Sequence, residues 1–184
     1  MTAELRALRE NPFDLLAALD ARLQVTAAAG ATGDAQDVWV GLGYRVAGQQ
    51  MVTPRADVRE VLTPPDYTRV PGAKPWLLGI ANVRGDLLPL IDLSRLLGGE
   101  ATAIHRSTRV LVYNAHEAPA GFLVDEVAGF RRFSPQDQRH EQVPAEGNAL
   151  NPYLLGAFVR DGQLWLAMSL SKLVTSPLFQ NAAA

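Results

Sequence analysis

The chain has 184 residues, 48% of them hydrophobic and 20% charged, with a formal net charge of −2 and a mean hydropathy of +0.01. This is the material of one domain, or of two small lobes sharing a core, and it is too apolar for a disordered chain. A pI near 5.9 argues against a broad nucleic-acid groove, and the absence of cysteine excludes disulfides, thiolate metal sites and a cysteine nucleophile.

Residues 1–22 intersperse Glu4, Arg6, Arg9, Glu10, Asp14, Asp20 and Arg22 among leucines, which is not the pattern of a signal peptide. No segment approaches the roughly 20 apolar residues of a membrane span. The expectation is a soluble cytoplasmic chain with no direct membrane insertion. Asn11-Pro12 offers a cap and a first helical proline, and Phe13, Leu15, Leu16, Leu19 and Leu23 recur at helical spacing. That apolar stripe packs either on the main domain or on a partner helix or groove. Ala27–Asp37 is small and polar, so residues 1–37 read as an N-terminal helix and linker.

From Val38 the period changes. Val38, Val40, Leu42 and Tyr44 alternate with Trp39, Gly41 and Gly43, and Gln49–Thr53 returns after a turn at Ala47-Gly48. Val58–Leu62 is a further short strand, followed by turns at Pro64-Pro65 and Pro71-Gly72. Leu77–Val83 and Leu87–Ile91 flank Arg84-Gly85-Asp86, which predicts a hairpin. Asp92 then caps a short helix over Leu93–Leu97, stopped by Gly98-Gly99. Arg109–Tyr113, Gly121–Asp125 and Val127–Phe133 read as strands, and Ser134–Asn148 as a polar connection. A last hairpin, Tyr153–Arg160 with Gln163–Met168, leads into a helix opened by Ser169. The core domain is expected over 38–176, with 177–184 as a C-terminal tail.

One unit of this pattern occurs twice. Sliding Leu77–Leu97 onto Leu154–Val174 matches Leu77/Leu154, Leu78/Leu155, Gly79/Gly156, Gly85/Gly162, Leu87/Leu164, Leu93/Leu170, Ser94/Ser171 and Leu96/Leu173 without a gap. A strand–turn–strand–helix unit used twice, among short strands and frequent turns, predicts a mainly β chain of two small barrels. Barrels this small fill with their own side chains. Features that the copies share are expected to be scaffold, and features that differ are free to serve function.

Catalytic patterns are missing. Gly41-Leu42-Gly43 lacks the third glycine and the lysine of a phosphate loop, and there is no Gly-x-Ser-x-Gly elbow. His105, His116 and His140 are too far apart in sequence for ligand spacing and read as surface imidazoles. Asp125-Glu126 are strand neighbours that face opposite ways, so they read as a strand-end ion-pair site rather than an acid/base pair. Arg131-Arg132 either touches phosphate or is a solvated strand edge. No catalytic residue, metal or cofactor is expected, and the chain is not expected to be an enzyme.

Pro75-Trp76 followed by Leu77–Gly98 resembles the signature of the CheW family of bacterial chemosensory adaptors. Its glycine, asparagine, arginine-glycine, proline and aspartate-leucine positions are Gly79, Asn82, Arg84, Gly85, Pro89, Asp92 and Leu93. Val58–Val61, Gly121–Val127 and Tyr153–Gly156 extend the resemblance over roughly Val38 to Leu173. The resemblance implies two SH3-like five-stranded barrels. It implies an adaptor between the cytoplasmic tip of a methyl-accepting chemoreceptor and the regulatory domain of a CheA-type histidine kinase, at receptor arrays near the inner membrane. It places Val58, Val61, Asn82, Val83, Arg84 and Gly85 in partner-binding surfaces. The family's second helix usually opens on aspartate, where this chain has Ser169. That feature and the extension over 1–37 look like the PilI-like members, which serve type IV pilus and twitching systems.

On residue chemistry alone, Arg84 either pairs with Asp86 or offers a planar donor fork to a partner. Val58 and Val61 lie three apart on a strand, so only one of them can face a core. Gly85 is a turn residue, and Asn82 either stabilises its own hairpin or touches a partner. The alternative function is a small-ligand sensor using the groove between the lobes.

Overall fold

The computed structural model describes residues 38–114, 119–139 and 150–182. The expected N-terminal helix and linker lie outside the described residues, as do His116, His140 and most of the polar connection up to Asn148.

Among the described residues the alternating segments form eleven strands: β1 (Trp39–Val46), β2 (Gln49–Pro54), β3 (Val58–Leu62), β4 (Tyr67–Thr68), β5 (Leu77–Val83), β6 (Asp86–Asp92), β7 (Arg109–Tyr113), β8 (Gly121–Val124), β9 (Glu126–Phe133), β10 (Leu154–Arg160) and β11 (Gln163–Met168). The helices are short: α1 (Leu93–Leu96), α2 (Leu170–Val174) and α3 (Pro177–Gln180), the last within the stretch expected to be tail. Among the described residues no helix is long and apolar enough to cross a membrane.

The strands make two sheets, ordered β10-β11-β2-β1-β9 and β3-β7-β8-β6-β5-β4. The first lobe is therefore built from the two ends of the described chain and the second from its middle. A bridge from Gln138 to Phe158, with Arg139 N donating to Ala157 O, ties the chain after β9 to β10 and closes the first sheet on itself. Five strands per lobe holds for the first sheet, but the second has six. The extra strand, β4, is two residues long because prolines on either side leave so short a window for pairing with β5. The chain changes sheets at Asp125, between β8 and β9, where the sequence reading also divides the two strands. Asp125 N donates to Arg45 O, and its carboxylate accepts from Gly48 N at 3.3 Å.

The repeat is structural, and each sheet holds one copy. β5–β6 and β10–β11 are joined by two-residue turns, Arg84-Gly85 and Asp161-Gly162, with positive φ at all four residues. Both copies slip register at the same place, between Leu77 and Gly79 and between Leu154 and Gly156. The second strand of each pairs in parallel with a strand of its own sheet, β6 with β8 and β11 with β2. The helices then bury equivalent leucines, Leu93 and Leu170, Leu96 and Leu173, in one shared cluster.

That cluster lies between the sheets. Leu42, Tyr44 and Met51 of the first sheet meet Ile91, Leu111, Phe122 and Val124 of the second. Each such side chain contributes about 2 kcal/mol on burial. Where these side chains meet, the space between the lobes is packed core. The opposite face of β1 carries Gly41 and Gly43 and looks into the first barrel, where Val52, Phe133, Trp165 and Ala167 form a second core. The glycines are needed for space: a Cβ at Gly43 would lie 2.9 Å from the Trp165 ring.

Candidate partner-binding site

The β5–β6 hairpin and the edge strand β3 belong to the same curled sheet, at different places in its strand order. Their side chains nevertheless meet. Arg84 Nη2 lies 2.9 Å from Glu60 Oε2, and Arg59 Nη2 lies 3.5 Å from Glu60 Oε1. Arg84 thus pairs with Glu60 across the sheet rather than with its near neighbour Asp86. The pairing is unequal: 75% of the Arg84 side chain is exposed, against 18% of Glu60. One edge of the guanidinium is anchored, and its remaining donors face solvent.

The turn dictates this geometry. Arg84 has φ 55° and Gly85 φ 95°, a type I′ arrangement whose twist matches the strands. Asp161 has φ 53° at the equivalent place in the second copy, so the strained backbone belongs to the scaffold and only the guanidinium is particular to this hairpin. Asn82 is engaged locally, its Oδ1 accepting from Gly85 N at 2.9 Å. Val83 is half-buried against the second lobe's core.

Val58 and Val61 point opposite ways, as their spacing requires. Val58 packs on the inter-lobe cluster, while Val61 is 38% exposed. A register slip between Val58 and Glu60 sets this part of β3 against β7. The structure therefore brings Val61 and Arg84 to the surface, and turns Val58 inward.

Sequence reading missed three residues here. Glu60 carried a signal in its charge, but nothing in its spacing pointed to a turn more than twenty residues away. Ile80 and Leu87, 37% and 67% exposed, leave apolar surface on the hairpin. Their alternation with Ala81 and Leu88 was legible, but which face met solvent was not. Of the other acids, Glu126 pairs with Arg45 at 3.3 Å, the strand-end role expected of it.

Residues 40–178 match the family model for the CheW-like domain. The chain is 43% identical to the protein PilI of Pseudomonas aeruginosa over 161 residues, 87% of this chain and 89% of that protein. It is 31% identical to FrzA of Myxococcus xanthus over 65% of this chain and 73% of that protein. The chemotaxis protein CheW of Helicobacter pylori is likewise 31% identical, over 56% of this chain and 63% of that protein. The fold matches the crystal structure of the scaffolding protein TtCheW from Thermoanaerobacter tengcongensis with a TM-score of 0.65 at 19% identity, over 76% of this chain and 94% of that one. The doubled strand–turn–strand–helix unit, the two β lobes sharing one core and the matches in sequence agree, and the chain belongs to the CheW-like family of chemosensory scaffold proteins.

Proposed function

We propose that this protein is a non-enzymatic cytoplasmic adaptor that couples the tip of a methyl-accepting chemoreceptor to the regulatory domain of a CheA-type histidine kinase, in an array controlling type IV pili. The observation that carries this is the 43% identity to PilI over most of both chains. The half-anchored Arg84 supports it. Glu60 fixes the guanidinium's position, so a partner's carboxylate or carbonyl meets a preorganised donor fork at reduced entropic cost.

Val61, Asn82, Val83, Arg84 and Gly85 form the proposed contact surface, and Val58 supports it from within. The mechanism is geometric. The adaptor holds receptor and kinase in one relation, and coupling follows when the two contacts favour different array states. The test is calorimetry of the full chain with the regulatory domain of the CheA-type kinase encoded in the same genome. Binding that Arg84→Glu weakens at least about tenfold, equivalent to about 1.4 kcal/mol, is the expected result. No binding to any such kinase would overturn the reading.

A further inference from the structure

The first lobe carries a second candidate surface, on the other sheet from Arg84. At one end of the barrel lies a cavity of about 390 Å³ lined by Phe130, Arg131, Arg132, Arg160, Asp161 and Trp165. Inside the barrel the rings meet in series: Trp39 stacks on Phe158 at 5.2 Å between centroids, Phe158 stacks on Phe133 at 4.6 Å, and Phe133 meets Trp165 tilted by 60° at 6.2 Å. The Arg131 guanidinium closes the series, 5.5 Å over the Trp165 ring. Gly43 makes this possible, because a side chain there would collide with Trp165 and crowd the Arg131 stem.

Arg131 lies over an aromatic ring rather than against a carboxylate. A guanidinium placed over a ring keeps its charge, and its N–H donors point outward in its own plane. Arg160 Nη1 donates to the carbonyl of Arg132, which orients it along the same rim. Beside it, Phe130 is 58% exposed, with the Arg55 guanidinium 5.7 Å over its ring. Among the described residues no carboxylate lies within ion-pair distance of Arg55, Arg131 or Arg132. Arg160 has only Asp161 at 3.9 Å, and Asp161 is 93% exposed. Among the described residues, three guanidinia and one carboxylate line the cavity, with Arg55 over the neighbouring Phe130 ring, on a chain whose net charge is −2.

We propose that this cavity docks an acidic, apolar-containing segment of a partner polypeptide. Its carboxylates would meet the guanidinia, and its apolar side chains would lie on the exposed Phe130 ring. The positive charge is confined to one small cavity with an acid on its rim, on an acidic chain. That suits a peptide better than a polyanion, which needs a long basic track. The surface is independent of the hairpin site and of the kinase reading.

The test uses the full chain and a fluorescein-labelled peptide of alternating glutamate and leucine, followed by anisotropy. Binding that weakens with added salt is expected. Arg131→Glu/Arg132→Glu should weaken it at least about tenfold, and Phe130→Ala several-fold. Arg84→Glu should leave it unchanged. Phe130→Ala keeps the test valid if the double variant does not fold, since the ring it removes is exposed. Failure of the peptide to bind, equal binding by folded variants, or tighter binding of a single-stranded oligonucleotide would overturn the proposal.

Discussion

Arg84 and Glu60 join the β5–β6 turn to the edge strand β3 through a 2.9 Å ion pair of which only the glutamate is largely shielded. An exposed pair of this kind adds less than about 1 kcal/mol to stability. Arg84→Ala should therefore leave the melting temperature within a few degrees of the parent while reducing kinase binding. Exchanging the charges, Arg84→Glu with Glu60→Arg, separates the two roles. The exchanged protein should recover the stability lost by either single change but not the binding. Recovery of both, measured by thermal unfolding and calorimetry, would make the pair purely structural.

Ser169 caps α2 by accepting from Lys172 N at 3.2 Å, and Asp57 adds the carboxylate that the first copy of the unit has in Asp92. Asp57 Oδ2 accepts from Leu170 N at 3.0 Å and Ser171 N at 3.4 Å, at the start of the helix. Asp57→Ala should cost about 1–2 kcal/mol, the loss of a cap and of a favourable charge at a helix N-terminus. Ser169→Asp should give little in the parent, where it sets two carboxylates side by side, and should recover stability in Asp57→Ala. Urea unfolding of the four proteins closes the cycle. Additive effects would show that the two acids do not share the helix end.

The Asp57 contact also marks how far the sequence could be read. Strands, hairpin turns and both helix caps were local, written in alternation, in Arg84-Gly85 and Asp161-Gly162, and in Asp92 and Ser169. The doubled unit was visible as leucines and glycines in register. The interleaving of the lobes was not, because pairing β2 with β11 or closing β9 on β10 depends on contacts between distant segments. The candidate site divides in the same way. Arg84 and its turn could be read, and Val58 and Val61 could be assigned to opposite faces. Glu60 as partner of Arg84, and Trp165 as the surface under Arg131, required the sheets to curl.

The glycines of the two copies should tolerate substitution unequally. Gly79 and Gly156 share φ 155°, so alanine carries a similar backbone cost at each. At Gly79 the added Cβ would lie 2.3 Å from the Thr68 carbonyl oxygen, a backbone atom fixed by the pairing of β4 with β5. At Gly156 the nearest atom is the end of the Gln138 side chain, 4.0 Å away. Gly79→Ala should therefore be the more destabilising by roughly 2 kcal/mol, and should detach β4. Equal losses in denaturant unfolding would mean that backbone conformation alone sets the cost.

Tyr44 is fully buried in the inter-lobe core, and its hydroxyl has no hydrogen-bond partner among the described residues. Burial, and secondarily the Asp57 charge, push its ionisation far above the ordinary tyrosine value of 10.0. The folded state therefore holds the phenol proton after the unfolded chain has released it. Stability from this group is complete below pH 10 and falls as pH rises above it, by at most about 1.4 kcal/mol per pH unit. Tyr44→Phe removes both the unpaired hydroxyl and this titration. It should be neutral to stabilising by up to about 1 kcal/mol at neutral pH. Above pH 10 its advantage over the parent should widen. Parallel alkaline unfolding curves for the two proteins would show that Tyr44 ionises in the folded state, against the burial seen here.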